Sequence, residues 1–555
     1  MMSSYAHGAS PIPLIGETIG AHFDRLAERH AAADAVVSVH QGVRLTYAQL
    51  RAATDEFARG LMALGVQHGD RVGIWSTNNV EWIVAQFATP KIGAILVNVN
   101  PAYRTSEVAY ALRQSGVSVL LTQVRHKTSD YVAMLREVRA NLPGLRHVVL
   151  IGDDEIDAPF AASMRWGDVA RAARNVGADD LRARLEVTQF DEAINIQYTS
   201  GTTGFPKGAT LSHHNILNNG FFIGEGCRFT ERDRVCIPVP FYHCFGMVLG
   251  NLACITHGAA MVIPAGNFEP QATMEAVQRE RCTALYGVPT MFIAEFALPE
   301  FTEFDCSTLR TGIMAGSPCP VEVMKRVQTE MHMPEVTICY GMTETSPVST
   351  QTAVDDPLDK RTASVGRVHP HIEVKVVDEQ GRIVPRGTPG ELCTRGYSVM
   401  LGYWNDPENT AKAIDAARYM HTGDIATMDA GGYVNISGRI KDMVIRGGEN
   451  VYPREIEEFL YTHPAVKDVA VIGVPDLKYG EELCAWVVLK PDSAATDVEL
   501  REFCKGKIAH YKIPRYVKFV GEFPMTVTGK VQKFKMREVS TGELGLADAA
   551  KVRTA

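Results

Sequence analysis

Short runs of apolar residues recur along the first part of the chain and alternate with longer stretches of mixed polarity. Up to residue 152, these runs lie at residues 71–75, 93–97, 117–121 and 148–151. Each has the length of a buried strand, and the stretches between them have the length of helices. Strands that alternate with helices are typical of parallel sheets covered by helices on both faces. The pattern therefore predicts layered α/β structure.

A second set of apolar runs lies further along, at residues 260–263, 283–286, 311–314 and 336–339. These runs lead into turns that contain glycine or proline, among them 287–290, 315–318 and 340–344. Open α/β sheets bind ligands at the carboxyl ends of their strands. We therefore expect these turns to form the walls of a binding site.

The pattern of apolar and polar residues changes after Arg361. Short apolar runs such as 374–377 and 390–393 predict antiparallel strands joined by turns. The charge balance changes past Arg439. Residues 441–555 hold 18 Lys and Arg against 17 Asp and Glu, whereas the whole chain has a formal net charge of −8. We place a domain boundary there, with one domain over residues 1–440 and a second over residues 441–555.

Composition excludes several classes of protein. A hydrophobic content of 46% and a net charge of −8 are typical of a globular enzyme and imply no nucleic-acid partner. The 11 cysteines never occur as a Cys-x-x-Cys pair, which argues against a zinc site or a disulfide framework. They favour a reducing compartment, and we expect a cytoplasmic protein with mostly buried cysteines.

No secretory signal or membrane span is expected either. The most membrane-like stretch is 80–99, but Glu81 and Lys91 interrupt it. Such a stretch predicts a helix followed by a buried strand rather than a transmembrane segment.

Residues 198–208 carry the densest set of candidate phosphate ligands. They read Tyr-Thr-Ser-Gly-Thr-Thr-Gly-Phe-Pro-Lys-Gly and follow an apolar run that predicts a strand. Backbone N–H groups of a glycine-rich loop can surround an anion, and a lysine adds positive charge. Gly208 follows Lys207 where the Walker pattern requires Ser or Thr, so a P-loop kinase is disfavoured. On composition alone, a flexible surface loop stays an alternative. The candidate ligands are Thr199, Ser200, Gly201, Thr202, Thr203, Gly204 and Lys207.

Five motifs in the same order along the chain resemble those of the adenylate-forming, AMP-binding superfamily. They lie at 199–208, 340–344, 421–424, 438–442 and 528–530. This superfamily comprises acyl-CoA synthetases, peptide-synthetase adenylation domains and beetle luciferases. The resemblance implies a large N-terminal α/β domain of layered sheets with a small β subdomain, and a small, mobile α+β C-terminal domain.

The resemblance also implies ATP, Mg²⁺ and coenzyme A, together with roles for individual residues. Lys530 resembles the catalytic lysine, Thr343 the residue that contacts the α-phosphate, and Glu344 the Mg²⁺ ligand. The adenine slot is implied at Gly316, Ser317, Tyr340 and Gly341, and the ribose ligands are implied at Asp424 and Arg439. His243 and Gly341 are implied at the acyl group, Lys441 at a hinge between domains, and Gly447 and Gly448 at the CoA tunnel. A basic set, which a solvated surface also explains, lies at Lys505, Lys507, Lys512, Arg515 and Lys518.

These features indicate an acyl-CoA synthetase, most similar to medium-chain fatty acid-CoA ligases. Gly341 stands where acetate-specific relatives carry a tryptophan, so we expect an open acyl pocket that Gly341→Trp would close. A ligase for a short branched or aryl acid and a luciferase-like enzyme remain alternatives. A peptide-synthetase domain is weaker, because residues 241–245 lack an acidic partner for an α-amine. A nucleotide sensor would have damaged catalytic positions, which are intact here. The acid and the oligomeric state stay open.

Overall fold

The computed structural model describes residues 2–152, 163–199, 206–317, 319–446, 449–525 and 531–546. The chain divides into two compact units. The larger, called the large unit, comprises Ala6–Val374 and Thr394–His421. The other, called the small unit, comprises Met1–Tyr5, Lys375–Cys393 and Thr422–Ala555. The predicted domain boundary after residue 440 stays a prediction.

The strands are numbered in chain order. They are β1 (Tyr5–His7), β2 (Asp34–Ser38), β3 (Val43–Thr46), β4 (Arg71–Trp75), β5 (Ile95–Asn98), β6 (Val117–Gln123), β7 (Arg125–His126), β8 (Ser129–Asp130), β9 (His147–Ile151), β10 (Ser163–Arg165), β11 (Ala193–Thr199), β12 (Lys207–Ser212), β13 (Arg234–Cys236), β14 (Ala260–Ile263), β15 (Ala284–Gly287), β16 (Thr311–Ala315), β17 (Glu335–Gly341), β18 (Val348–Gln351), β19 (Arg367–Val368), β20 (Ile372–Val377), β21 (Gly390–Gly396), β22 (Gly402–Tyr403), β23 (Met420–Met428), β24 (Val434–Arg439), β25 (Val444–Arg446), β26 (Glu449–Val451), β27 (Val466–Asp476), β28 (Gly480–Leu489) and β29 (Tyr516–Phe519).

The α-helices are numbered in the same way. They are α1 (Ile19–Arg29), α2 (Tyr47–Ala63), α3 (Val80–Ala88), α4 (Thr105–Ser115), α5 (Tyr131–Val138), α6 (Trp166–Ala172), α7 (Ala178–Val187), α8 (His213–Gly226), α9 (Ala253–His257), α10 (Pro270–Arg279), α11 (Pro289–Phe296), α12 (Val321–Glu330), α13 (Leu358–Ala363), α14 (Pro407–Ala413), α15 (Pro453–Leu460), α16 (Asp497–Cys504) and α17 (Lys533–Glu543).

The first sheet of the large unit has eight strands in the order β10-β9-β6-β4-β5-β11-β12-β22. Its strands are parallel from β10 to β11, and β12 and β22 continue the sheet antiparallel. The four apolar runs predicted before residue 152 lie in β4, β5, β6 and β9, which confirms them as buried parallel strands. The predicted phosphate loop joins β11 to its antiparallel neighbour β12.

The second sheet has nine strands in the order β19-β18-β17-β16-β15-β13-β14-β2-β3. The strands from β17 to β2 are parallel. The second predicted set of runs lies in β14, β15, β16 and β17 and is confirmed. Because β15, β16 and β17 are neighbours, their carboxyl ends lie at one edge of the sheet, as predicted for the walls of a site.

Capping side chains set where the first helices of the large unit begin. Thr46 and Gln49 form a reciprocal capping box at the start of α2, and Asn79 accepts from the backbone N–H of Trp82 at the start of α3. The stretch 80–99 folds as helix α3 followed by buried strand β5, as predicted. Within the described residues, none of the helices combines the length and the apolar character that crossing a bilayer requires.

The small unit contains a sheet that the sequence pattern did not reveal. Its longest strands, β27 and β28, form an antiparallel hairpin around a core that includes Val469, Val471 and Leu483. Most of the predicted basic set forms ion pairs within this unit: Lys505 with Glu502, Lys512 with Glu455, Arg515 with Asp476 and Lys518 with Glu543. These pairs match the interpretation of a solvated surface.

All 11 cysteines are free, and ten of them are buried. This confirms the prediction that they act mainly as small apolar residues. Burial raises the pKa of several of these thiols, among them Cys227 to about 12 and Cys306 to about 11, which keeps them protonated and unreactive at neutral pH.

Candidate active site

The two ends of the predicted phosphate loop lie side by side. Thr199 ends β11, Lys207 begins β12, and the two residues face each other in the antiparallel register. The Thr199 hydroxyl lies 3.4 Å from the carbonyl oxygen of Lys207. The predicted ligands Ser200, Gly201, Thr202, Thr203 and Gly204 lie outside the described residues. The sheet therefore fixes the base of the loop, and the predicted role of its tip stays a prediction.

Glu344 lies beside this base and is largely buried, with 5% of its surface exposed. Two hydroxyls donate to the same carboxylate oxygen, Oε1: Thr199 at 3.2 Å and Tyr403 at 2.9 Å. In the part of the chain that the structure describes, no hydrogen bond reaches Oε2. The backbone N–H of Met400 donates to the Glu344 carbonyl at 2.9 Å. Among the described residues, the buried carboxylate is thus held through one of its two oxygens.

Lys207 faces the same tyrosine. Its Nζ lies 5.0 Å from the centre of the Tyr403 ring, a cation–π arrangement. Burial and the neighbouring Glu344 raise the pKa of Tyr403 well above its ordinary value, so the phenol keeps its proton and donates it. One tyrosine therefore contacts both predicted charged ligands.

Thr343 begins the turn that carries Glu344 and lies close to the predicted acyl residues. Its Oγ1 is 3.9 Å from the sulfur of Cys244, which is 3.7 Å from Nδ1 of His243. The backbone N–H of Phe245 donates to the same Nδ1 at 3.1 Å. A neutral His243 therefore carries its proton on Nε2, which makes that nitrogen a hydrogen-bond donor.

The predicted adenine residues lie at the carboxyl ends of adjacent strands. Ala315 pairs with Cys339, which brings Gly316 and Ser317 after β16 next to Tyr340 in β17. Gly316 has a φ of 92°, a left-handed conformation that side chains rarely adopt. The tertiary structure thus brings these three predicted residues together at one edge of the sheet.

The structure gives a packing reason for a glycine at position 341. A Cβ on this residue would lie 1.7 Å from the carbonyl oxygen of Pro347. That oxygen accepts from the backbone N–H of Met342 at 3.0 Å and from the Thr345 hydroxyl at 2.6 Å. The glycine is therefore required by the close approach of β17 to the chain before β18. The predicted place of Gly341 at the acyl group stays a prediction, but Gly341→Trp would also displace backbone, because a Cβ here overlaps the Pro347 carbonyl.

Asp424 and Arg439, the predicted ribose ligands, belong to the small unit. They face each other across the β23–β24 pair and form an ion pair, with Nε 3.3 Å from Oδ1. The Asp424 side chain is 11% exposed and that of Arg439 is 52% exposed. The two predicted ribose ligands therefore lie side by side, and the ribose contact itself stays a prediction.

The remaining predicted residues are at the C-terminal end of the chain. Lys441 lies in a 3₁₀ turn that spans Ile440–Asp442 and is exposed. Lys530, Gly447 and Gly448 lie outside the described residues. The hinge, the catalytic lysine and the CoA tunnel stay predictions.

Sequence reasoning missed several residues at the site. Asn98, Asn195 and Gln197 form a buried amide chain, in which Asn195 donates to Asn98 at 3.0 Å and Gln197 to Asn195 at 2.9 Å. Asn195 and Gln197 alternate with apolar residues in β11, a signal that the sequence did offer. Tyr403 had no such signal, because its role depends on which strand lies beside β22.

The sequence and the fold are both similar to those of known proteins. The sequence pattern of the family described as AMP-binding enzyme matches residues 23–404, and that of the AMP-binding enzyme C-terminal domain matches residues 455–530. The structure of an anthranilate CoA ligase, AuaEII, in complex with anthranoyl-AMP is similar, with a TM-score of 0.85 and 27% identity. The match covers 96% of this chain and 99% of that one.

Two curated relatives are more similar in sequence. The protein YngI of Bacillus subtilis (strain 168), assigned to the acyl-CoA synthetases, is 49% identical over 95% of this chain and 97% of its own length. The mitochondrial medium-chain acyl-CoA ligase ACSF2 of Danio rerio is 43% identical over 98% of this chain and 92% of its own length. The chain therefore belongs to the AMP-binding enzyme family, within its acyl-CoA synthetases.

Proposed function

We propose that this acyl-CoA synthetase activates a medium-chain fatty acid in two half-reactions. In the first, the acid and ATP give acyl-AMP and pyrophosphate. In the second, acyl-AMP and CoA give acyl-CoA and AMP. The observation that carries the proposal is the position of Glu344, whose buried carboxylate is hydrogen-bonded to Thr199 at the base of the phosphate loop.

In the first half-reaction, a carboxylate oxygen of the acid attacks the α-phosphorus of ATP, and the bond to pyrophosphate breaks. Two anions must approach each other, so the site has to supply positive charge and hydrogen-bond donors. Lys207 supplies a charge at the loop, and the Thr343 hydroxyl supplies a donor for the α-phosphate. His243 is suited to the acid, because its Nδ1 accepts from the backbone N–H of Phe245, so a neutral ring carries its donor hydrogen on Nε2. We assign the bridging charge between the two reactants to Lys530.

The residues present fit a magnesium ion. Mg²⁺ prefers oxygen ligands and often combines one or two carboxylates with phosphate oxygens of the substrate. Glu344 provides a buried carboxylate whose Oε2 accepts no hydrogen bond from any residue the structure describes. Glu344 would hold the ion, which when bound neutralises charge on the phosphate oxygens.

In the second half-reaction, the CoA sulfur attacks the carbonyl carbon and AMP leaves. We assign residues 1–440 to the adenylation domain and residues 441–555 to a mobile domain that turns at Lys441. In this scheme the rotation moves Lys530 away from the reacting groups and brings Gly447 and Gly448 to the pantetheine arm. Glycine lets the arm pass close to the backbone.

The medium-chain assignment is supported by the likeness to ACSF2 over almost the whole chain. An aryl acid is the second candidate, because the similar structure AuaEII is an anthranilate CoA ligase. Burial of each additional methylene contributes about 0.8 kcal/mol, so an aliphatic tunnel raises specificity several-fold per carbon until it ends. A ligase for a short branched acid remains an alternative.

A panel of acids distinguishes these candidates. Pyrophosphate release is measured with saturated acids from acetate to palmitate and with anthranilate and benzoate, and mass spectrometry detects the CoA product. We expect kcat/KM to reach its maximum at about six to ten carbons, where several methylenes are buried. A maximum at acetate or at the aryl acids contradicts the medium-chain proposal, and light emission without added CoA points to a luciferase-like reaction.

A second experiment tests the two half-reactions separately. Lys530→Ala should slow adenylation about 100- to 1000-fold, because one preorganised charge is lost from the transition state. The variant should convert presynthesised acyl-AMP and CoA to thioester with a much smaller loss. If both half-reactions fall equally, the role of Lys530 is wrong.

A further inference from the structure

We propose that Tyr403 is a positioning residue of the adenylation site, which turns one oxygen of Glu344 toward the metal and holds the Lys207 ammonium at the phosphate loop. This inference rests on the proposed function, because that function assigns Glu344 to Mg²⁺ and the loop to ATP. Tyr403 itself contacts neither the substrate nor the reacting atoms in this scheme. It acts through the two charged residues on either side of it.

The backbone around Tyr403 is fixed by the edge of the first sheet. Tyr403 pairs with Ala209 of β12, two residues after Lys207. The backbone N–H of Trp404 donates to the carbonyl of Gly208 at 2.7 Å, and that of Tyr403 donates to the Thr410 hydroxyl at 2.9 Å. The ring therefore has a defined place beside the lysine.

The hydroxyl selects one carboxylate oxygen of Glu344. Tyr403 and Thr199 both donate to Oε1, at 2.9 and 3.2 Å. Two donors on one oxygen fix the rotation of the carboxylate, so Oε2 points elsewhere. A metal ligand oriented in this way loses less freedom when the ion binds.

The ring holds Lys207 without neutralising it. Nζ lies 5.0 Å from the ring centre, and within the described residues Lys207 forms no ion pair with Glu344 or another carboxylate. An ion pair would cancel the charge that the phosphates need, whereas the face of an aromatic ring attracts the cation and leaves its hydrogen-bond donors available.

A second cluster in the large unit also combines a tyrosine, a glutamate and a basic side chain over the tyrosine ring, and we use it as the structural comparison. The Tyr419 hydroxyl donates to Oε2 of Glu373 at 3.2 Å, and Arg395 lies 4.5 Å from the Tyr419 ring centre. Here Arg395 takes both carboxylate oxygens, with Nε 3.1 Å from Oε1 and Nη2 2.7 Å from Oε2. The parts are the same, but both oxygens of Glu373 are occupied. Tyr419→Phe is therefore a matched control for Tyr403→Phe.

The experiment measures metal binding independently of turnover. Mn²⁺ is titrated into each variant in the presence of α,β-methylene-ATP, and free Mn²⁺ is followed by electron paramagnetic resonance. In parallel, the Mg²⁺ dependence of pyrophosphate release is measured with the best acid, and Tm is recorded. Loss of a partner that orients a metal ligand typically lowers metal affinity about 10- to 100-fold. We expect that loss for Tyr403→Phe, with excess Mg²⁺ restoring most of its rate.

Tyr403→Leu also removes the ring, and it should weaken binding of α,β-methylene-ATP beyond the effect of Tyr403→Phe. Tyr419→Phe should change Tm by a similar amount to Tyr403→Phe and leave Mn²⁺ affinity unchanged. The proposal is overturned if Tyr403→Phe and Tyr419→Phe have the same Mn²⁺ affinity. If Tyr403→Phe weakens Mn²⁺ binding but no acid releases pyrophosphate with the parent enzyme, the proposed function fails and the positioning role stands.

Discussion

Two lysines of the large unit lie over aromatic rings at similar distances, and their other partners differ. Lys91 Nζ is 5.3 Å from the centre of the Phe23 ring, and Lys207 Nζ is 5.0 Å from that of Tyr403. Lys91 is fully buried and forms ion pairs with Asp24 and Asp55. Lys207 is half-buried. Among the described residues it forms no direct ion pair, and a hydrogen bond from Asn409 together with the more distant Lys207 charge lowers the pKa of the Asp406 carboxyl.

We interpret the difference as that between a lysine that stabilises the fold and a lysine that is proposed to bind phosphate. A charge buried without water needs opposite charges around it, because its desolvation is otherwise too costly. A lysine that must meet phosphates is more useful when no carboxylate competes for it. The ring is common to both sites, so the presence or absence of carboxylates indicates the role.

The largest effect should follow from removing Lys91. Lys91→Met leaves Asp24 and Asp55 without the lysine that they share, while Arg51 remains 3.2 Å from Asp24. Breaking a buried ion pair in this way costs about 3–5 kcal/mol of unfolding free energy. The measurement is urea unfolding followed by circular dichroism, with activity normalised to folded protein. Activity per folded molecule should be retained. A loss of stability below about 1 kcal/mol would contradict the structural role, since that is within the range of an exposed pair.

Lys207→Met should lower activity and leave the unfolding free energy almost unchanged, the opposite of Lys91→Met. Adenylation should fall about 100-fold, equivalent to about 2.7 kcal/mol, because a charge at the phosphate loop is lost. Methionine keeps the apolar length over the Tyr403 ring, so the unfolding free energy should change by less than about 0.5 kcal/mol. Acid-dependent pyrophosphate release and urea unfolding check both parts. A destabilisation as large as that of Lys91→Met would remove the distinction between the two lysines.

Mild acid should lower the unfolding free energy through two buried histidines that belong to neither lysine site. Their titration is therefore a reference for variants at those sites. Burial lowers the pKa of His213 and of His369 to about 3. The unfolded chain binds protons at these histidines near pH 6.5, whereas the folded chain does not. The contribution of these two histidines to the unfolding free energy is therefore complete above pH 6.5. It decreases toward pH 3 by about 1.4 kcal/mol per pH unit for each histidine.

The test is the pH dependence of the unfolding free energy for the parent, His369→Gln and Lys207→Met. His369→Gln should reduce the slope by about one proton over this range, because one buried titrating group is gone. Lys207→Met should keep the parent slope. An unchanged slope in His369→Gln would show that this histidine is protonated in the folded protein.

The smallest effect should come from removing the whole Lys91 cluster. Lys91→Met combined with Asp24→Asn and Asp55→Asn should have an unfolding free energy within about 1 kcal/mol of the parent, because no unpaired charge is left buried. Urea unfolding of the triple variant beside Lys91→Met measures the recovery. If the triple variant is as unstable as the single one, the loss arises from packing of the lysine stem.

Local patterns in the sequence predicted many of the parallel strands of the large unit and indicated the chemistry at the loop. The apolar runs of β4, β6, β9 and β14 were readable because burial on both faces of a parallel sheet demands continuous apolar residues. The residue types of 199–208 indicated phosphate binding for a similarly local reason. The hairpin β27–β28 was not predicted, although residues 469–474 and 483–489 are apolar runs of the same kind.

The tertiary structure decided which residues meet and which way they point. Tyr403 contacts Glu344 and Lys207 only because β22 lies beside β12 in the sheet order. Gly341 has a packing role that the sequence did not show, because the carbonyl oxygen of Pro347 fills the place that a Cβ would take. Sequence patterns record the period and the burial of each segment, whereas strand order and register set the contacts between segments, and those contacts made a tyrosine without a sequence signal part of the candidate site.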